Sequence, residues 1–172
     1  LGSHIAIMLA RSGVGNLNLI DFDIVEPSNL NRQSYMIEDL GKFKTEALKE
    51  QISRINPFIE VRIHTLRINE NNIKDLFVLD DIVCEAFDSA TAKAMLAQNF
   101  HSIFKDKILI CGSGLAGYGD SNSIQTKKIA DNFYVCGDLV NAAKPGNGLM
   151  SPRVNICAGH QANLVLELLA SK

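Results

Sequence analysis

Helical and strand-like patterns of apolar residues alternate along the first two thirds of the chain. In 42–56 apolar residues recur at helical spacing, whereas 59–63 alternates apolar and polar residues as a half-buried strand does. The same two patterns predict a first helix up to residue 12, strand 16–21, helix 42–56, strand 59–63, helix 70–79, strand 81–85, helix 89–104 and strand 107–111. This order predicts an α/β fold with an open, mostly parallel sheet and right-handed crossovers.

The last third of the chain loses this regularity. Residues 112–119 contain four glycines, too many for a helix or a central strand. Strand-like pieces follow at 123–125 and 133–136, then a loop over 139–150 and a final helix over about 151–171. Because no internal repeat, low-complexity tract or boundary interrupts the chain, 1–172 is predicted to be a single domain.

Composition narrows the possible partners and compartment. The chain has 172 residues, of which 47% are hydrophobic, enough for a real core. A formal net charge of −2 and a pI near 6.1 argue against nucleic acid or an anionic membrane as a partner. No apolar run approaches the length of a membrane span, so we expect no membrane contact, and the unpaired cysteines favour a cytoplasmic protein.

Cysteine and histidine positions give no metal motif. The four cysteines are irregularly spaced and form no CxxC pair, so we expect reduced thiols and no structural zinc: Cys84, Cys111, Cys136 and Cys157. The four histidines are scattered over apolar or loop positions and are expected to be packed or exposed residues, not ligands: His4, His64, His101 and His160.

A nucleotide-binding pattern opens the chain. The first helix begins at Gly2 and ends near Gly13, a simple helix C-cap, and Asp21 ends the next strand 19 residues after Gly2. A carboxylate about 20 residues past a glycine turn reaches the ribose hydroxyls in a dinucleotide-type βαβ unit. Asn29 and Arg32 follow three residues apart, on one face of a helical turn and at triphosphate distance. The pattern indicates a site that holds ATP for chemistry on its phosphates.

These residues resemble the ThiF/MoeB/HesA family of ubiquitin-activating-type adenylyltransferases. Residues 13–23 (GVGNLNLIDFD), 28–33 (SNLNRQ) and the lysine in 41–46 (GKFKTE) match the family pattern at its spacing. The likeness continues to 149–154 (LMSPRV) and covers essentially the whole chain, most strongly the short ThiF branch. The chain opens inside the glycine motif, so the strand before it is expected to be absent. The implied fold is Rossmann-like and doubly wound, with helices on both faces of the sheet.

The resemblance implies roles for particular residues. Gly2, Asp21, Asn29, Arg32 and Lys44 would bind the nucleotide, with Arg32 gripping phosphate through its planar fork and Lys44 as a movable point charge. Asp88 would be the magnesium-site acid, and Arg32, Lys44 and Asp88 would be catalytic by resemblance. Asp23 is expected to support the site without contacting the ligand directly.

Simpler interpretations stay open for several of these positions. Asp88 precedes a predicted helix and fits a helix N-cap, and Lys44 alone fits a solvated helix start. Loop 112–119 is either a set of tight turns or a side-chain-free surface for the thin Gly-Gly tail of a carrier protein. Cys136, at the start of a predicted mobile loop, is either an inert thiol or a residue that handles sulfur or a carrier thioester.

The implied activity is ATP- and Mg²⁺-dependent adenylation of the C-terminal glycine carboxylate of a ThiS-like sulfur carrier, for thiamine biosynthesis. A homodimer is expected by the same resemblance. Alternatives are a MoaD-type or other carrier, a NAD-binding oxidoreductase or sensor, and a docking module that binds a carrier without activating it.

Overall fold

The computed structural model describes residues 1–171 and contains five α-helices and six strands in that part of the chain. The helices are α1 (Gly2–Arg11), α2 (Lys44–Ile55), α3 (Ile73–Phe77), α4 (Ala90–Ile103) and α5 (Ser151–Ala170). The strands are β1 (Asn16–Ile20), β2 (Glu60–His64), β3 (Ile82–Cys84), β4 (Ile108–Gly112), β5 (Gln125–Ala130) and β6 (Phe133–Gly137). The alternating order predicted from the apolar pattern is confirmed.

The strands form two sheets in the described part of the chain. β1 pairs in parallel with β2, and a second sheet has the order β3-β4-β6-β5. In the second sheet β3, β4 and β6 are parallel, and only β5 runs antiparallel, hairpin-like, against β6. The α/β class with a mostly parallel arrangement is therefore confirmed, with β1 and β3 lying on opposite sides of one large cleft.

Helices cover both faces of the four-stranded sheet. Successive residues of a strand point to opposite faces, and β4 follows this rule. Ile110 packs into a core with α1, α2 and α5, whereas its neighbours Leu109 and Cys111 pack into a second core with α3 and α4. The doubly wound arrangement follows from this alternation of buried side chains along a nearly all-buried strand.

The prediction for strand 123–125 is wrong in its position. Residues Ser121–Ser123 form a 3-10 turn, and β5 begins only at Gln125. Every residue of β5 is exposed, so no face of it is selected to be apolar and its sequence carries no strand periodicity. Among the helices of residues 1–171, none combines the length and the apolar character that crossing a bilayer requires.

Candidate nucleotide-binding site

One cleft of about 2080 Å³ gathers the residues singled out as nucleotide ligands. It extends along the full length of β1 and β3, and Asp21 and Asp88 lie in it beyond the carboxyl ends of these strands, which is where α/β sheets bind ligands. Six candidates from four separate chain segments line it: Gly2, Asp21, Asn29, Arg32, Lys44 and Asp88. Cys136 is not among the lining residues.

Lys44 opens α2 and is held beside the end of β1. Its ammonium group lies 2.7 Å from the Asp23 carboxylate and 4.0 Å from that of Asp21, and its backbone N–H donates to Asp23 O. Asp23 therefore holds Lys44 in place, and its lack of direct contact with the ligand stays a prediction. The alternative of a solvated helix start is wrong for Lys44, because only 8% of the residue is accessible.

Asp21 occupies a less favourable environment for a charge. Burial raises the pKa of its carboxyl group, while the backbone N–H of Asp23 and the ammonium group of Lys44 oppose that effect. The Tyr35 hydroxyl, which donates to Lys44 O, also has a raised pKa because it is buried near these carboxylates. A carboxylate that is partly desolvated but still open to the cleft is suited to accept hydrogen bonds from ligand hydroxyl groups.

Arg32 lies in the segment that follows β1 and lines the same cleft as Lys44. Its Nη1 donates to Ser28 O at 2.8 Å and to Asn31 Oδ1 at 2.9 Å, so both bonds recorded for its guanidinium group in residues 1–171 use one nitrogen. The other donors of the planar fork can meet phosphate oxygens.

Asn29 has a structural use that the sequence did not indicate. The residue is 6% exposed, and its Oδ1 accepts the N–H of Glu26 at 3.0 Å, which closes the 3-10 turn Pro27–Asn29. Its backbone carbonyl accepts the N–H groups of Arg32 and Gln33. Asn29 thus shapes the turn that carries Arg32, and its amide lines the same cleft.

Gly2 lies where the start of α1 approaches the end of β3. A Cβ atom at this position would lie 3.2 Å from Cβ of Ala86, tighter than an ordinary contact. The absence of a side chain lets the helix start, with its unpaired N–H groups, sit directly on the cleft.

Asp88 lies in the loop between β3 and α4 and is exposed. The alternative role of Asp88 as a helix cap is wrong, because the N-cap of α4 is Ser89, whose hydroxyl accepts the N–H of Ala92. Residues 1–171 contain no group of three or more acidic, histidine or cysteine side chains arranged to hold a metal. One free carboxylate fits Mg²⁺, which commonly takes one or two protein carboxylates and completes its shell with phosphates and water.

A buried ion pair behind Asp88 was not found from the sequence. The side chain of Glu85 is fully buried at the end of β3, and both of its oxygens accept from the ammonium group of Lys93 at 2.8 and 2.9 Å. Lys93 also donates to Gly112 O at the end of β4, and Glu85 accepts the N–H of Phe87. The pair ties the ends of two strands to α4 and fixes the loop that carries Asp88.

The position expected for Cys136 is wrong. It lies within β6 and not in a mobile loop, and it is fully buried. Its thiol contacts the Thr126 hydroxyl at 3.6 Å, and burial raises its pKa, which disfavours the reactive thiolate. Its apolar neighbours lie in the core formed with α1, α2 and α5, so packing accounts for this residue.

The glycine loop 112–119 packs against the segment that follows β6. Added Cβ atoms at Gly114 and Gly137 would collide with Asp138 and with the Ser113 backbone, and both glycines have positive φ. Backbone bonds from Asp138 to Gly114 and from Leu139 to Ser113 join the two segments. These glycines therefore serve a close internal approach of two backbones, which favours the structural interpretation of this loop.

Arg153 locks the same region from α5. Its guanidinium group lies 2.6 Å from Asp138 Oδ2 and donates to Asp120 O, and both side chains of the ion pair are at most 5% exposed. Asp138 also accepts the N–H groups of Val140 and Asn141. These hydrogen bonds and Arg153 lower the pKa of Asp138 although burial works against them. The sequence offered only the SPR run at the start of α5 as a signal.

The chain is similar in sequence to known proteins. The model of the ThiF family matches residues 1–172. Probable adenylyltransferase/sulfurtransferase MoeZ of Mycobacterium tuberculosis is 34% identical over 66% of this chain and 29% of its own length. The probable molybdopterin-synthase adenylyltransferase of Porphyra purpurea is 33% identical over 58% of this chain and 26% of its own length. The chain thus spans less than a third of the length of these curated relatives.

Solved structures share the fold. Escherichia coli tRNA N6-threonylcarbamoyladenosine dehydratase TcdA, solved with ATP, superposes with a TM-score of 0.86 at 22% identity, covering 99% of this chain and 82% of that one. Escherichia coli MccB, also solved with ATP, gives a TM-score of 0.69 at 26% identity, covering 96% of this chain and 52% of that one. These likenesses show the fold, and the match of the family model over residues 1–172 shows that the chain belongs to the ThiF family.

Proposed function

We propose that this chain is the ATP-binding adenylation domain of an adenylyltransferase that activates the C-terminal glycine carboxylate of a ubiquitin-fold carrier protein. The observation that carries the proposal is the gathering of two cations, two carboxylates, a polar amide and a glycine helix start in one cleft: Arg32, Lys44, Asp21, Asp88, Asn29 and Gly2.

The proposed reaction determines what the site has to supply. A terminal carboxylate has a pKa of about 3.5, so it is already an anion at neutral pH and needs no general base. It attacks the α-phosphorus of ATP, a bond forms between carboxylate oxygen and phosphorus, and pyrophosphate leaves with the electrons of the broken P–O bond. The main barrier is repulsion between two anions, which positioned cations and hydrogen-bond donors lower.

The residues in the cleft fit these demands. Lys44, held by Asp23, would bring a fixed positive charge to the phosphates, and Arg32 would grip them with its remaining donors. Asp21 would accept from the ribose hydroxyls, and the N–H groups at the start of α1 would face phosphate oxygens. Asp88 would hold Mg²⁺, which supplies charge neutralisation on the phosphate oxygens when bound.

The similar proteins support the activity at this level. MoeZ and the Porphyra protein are named adenylyltransferases, and MccB, at 26% identity, was solved with ATP. A NAD-binding oxidoreductase would have no use for Arg32 and Lys44 at triphosphate distance.

Three further points of the proposal are the identity of the carrier, the cellular compartment and the oligomeric state. The motif likeness to the short ThiF branch favours a ThiS-like carrier and thiamine biosynthesis, with a MoaD-type carrier as the alternative. A homodimer and a cytoplasmic location remain predictions, as does a role of Cys136 in sulfur transfer, to which its burial gives no support.

A carrier-dependent ATP–pyrophosphate exchange assay tests the proposal. The full-length protein is incubated with Mg-ATP, labelled pyrophosphate and either a ThiS-like or a MoaD-like carrier ending in Gly-Gly. We expect label to enter ATP only with a carrier, and faster with the ThiS-like one. A carrier lacking its last glycine is the control. Tight binding of NAD without binding of ATP would contradict the proposal, and carrier binding without exchange would favour the docking module.

A further inference from the structure

The first turn of α1 is bound to the segment that carries Arg32 by three hydrogen bonds. His4 Nε2 lies 2.8 Å from the backbone oxygen of Arg32. Ser34 Oγ lies 2.6 Å from His4 Nδ1, and the Ser34 N–H donates to Ser3 Oγ at 3.0 Å. The contacts join residues about 30 positions apart in the chain, so they are tertiary contacts and not consequences of local structure.

The partners of His4 define its hydrogen positions. A backbone carbonyl can only accept, so Nε2 carries the hydrogen and donates it to Arg32 O. In the neutral ring Nδ1 then accepts from the Ser34 hydroxyl. Burial lowers the pKa of His4, which agrees with a neutral ring in this half-buried position.

We propose that His4 is a positioning residue that holds Arg32 at the nucleotide phosphates. The inference rests on the proposed function, since Arg32 needs a phosphate to bind. The start of α1 and the Arg32 side chain would have to grip the same triphosphate from two sides, and both line the cleft. His4 links them directly, so the distance between helix start and arginine is set before ATP arrives. Such preorganisation spares the ligand the cost of ordering the site.

The hydrogen bonds of Arg32 itself show why its link to α1 through His4 matters. Its guanidinium group is held by Ser28 O and Asn31 Oδ1, both within its own turn, and its N–H donates to Asn29 O. These local bonds shape the turn but do not fix it relative to α1. His4, Ser3 and Ser34 supply that connection.

A double-mutant cycle tests whether His4 acts through Arg32. Dissociation constants for Mg-ATP are measured calorimetrically for the full-length protein, His4→Leu, Arg32→Ala and the double variant. We expect about a tenfold weakening for His4→Leu, about a hundredfold for Arg32→Ala, and no further weakening when His4→Leu is added to Arg32→Ala. His4→Gln, which keeps a donor close to the position of Nε2, should recover most of the affinity.

The controls separate this role from a general loss of stability. His160 bonds to the Thr126 hydroxyl and does not line the cleft, so His160→Leu should bind ATP as the wild type does. If His4→Leu unfolds, the same double-mutant cycle is measured with Ser34→Ala, which removes only the hydroxyl that donates to His4. Its effect on Mg-ATP affinity should be smaller. Additive losses, or unchanged affinity in both His4→Leu and Ser34→Ala, would overturn the inference. Failure of the wild type to bind ATP would instead overturn the proposed function.

Discussion

Two ion pairs in this protein have the same chemistry but different surroundings. Lys44 and Asp23 meet at 2.7 Å beside the cleft, and the Asp23 side chain is 47% exposed. Arg153 and Asp138 meet at 2.6 Å behind the glycine loop, where neither side chain is more than 5% exposed. Loss of the cation therefore leaves Asp23 able to regain water, whereas Asp138 would be left buried with its charge unpaired.

This difference in exposure separates an ion pair that can take part in ligand binding from one that stabilises the fold. A cation whose partner is accessible can redirect part of its charge to an incoming phosphate, and Lys44 also lines the cleft. Arg153 bonds to Asp138 and to Asp120 O, and none of these three residues lines the cleft. We expect substitutions of Lys44 to change activity more than stability, and substitutions of Arg153 to do the opposite.

The largest expected effect is on stability at the buried pair. Arg153→Met leaves the Asp138 carboxylate buried without its cation, and breaking such a pair costs about 3–5 kcal/mol. Urea denaturation measures the change in unfolding free energy. The double variant Arg153→Met, Asp138→Asn removes both charges and keeps an acceptor for the Val140 and Asn141 N–H groups, so it should recover part of the loss. Lys127→Met on the exposed strand β5 is the control, with a change within about 0.5 kcal/mol. If Arg153→Met lost no more unfolding free energy than Lys127→Met, the two ion pairs would not differ in the way described.

The next effect is on catalysis at the cleft. Lys44→Met should lower carrier-dependent pyrophosphate exchange by about a hundredfold, or about 2.7 kcal/mol of transition-state stabilisation. Its unfolding free energy should change by about 1 kcal/mol or less, because Asp23 can be rehydrated. Lys42→Met is the matched control, because Lys42 lies two residues away and pairs with Glu50 at 2.6 Å in an exposed position. Exchange at wild-type rates in Lys44→Met would show that this lysine does not touch the phosphates.

The smallest effect is expected at Cys136. Because the thiol is fully buried and its pKa is raised by burial, Cys136→Ala should leave exchange within about twofold of wild type and cost about 1–2 kcal/mol of stability. Mass spectrometry after brief iodoacetamide treatment should find Cys136 unmodified in the native protein and modified in urea. Rapid labelling of the native protein, with loss of a covalent carrier adduct in Cys136→Ala, would restore the role in sulfur transfer.

Helices and strands are predictable from the sequence where they are buried, because burial then sets the spacing or the run of apolar residues. The apolar spacing of α2 and the short apolar run of β4 both record which faces are buried, and both were found from the pattern. The apolar pattern does not locate β5, because all of its side chains are exposed and it is held in the sheet by backbone pairing with β6. The same limit applies to Cys136: the sequence shows a glycine after it, but not that β6 extends to that glycine between two neighbouring strands.

The apolar pattern of the chain predicts the α/β class, and the resemblance of its motifs to the ThiF family implies the candidates Gly2, Asp21, Asn29, Arg32, Lys44 and Asp88. Which neighbours support these residues depends on contacts that form only in the folded protein. The bonds of His4 to Arg32, Lys93 to Glu85 and Arg153 to Asp138 join residues 28, 8 and 15 positions apart. Such contacts leave no periodic signal, since their energies depend on desolvation and geometry that exist only after the elements have packed.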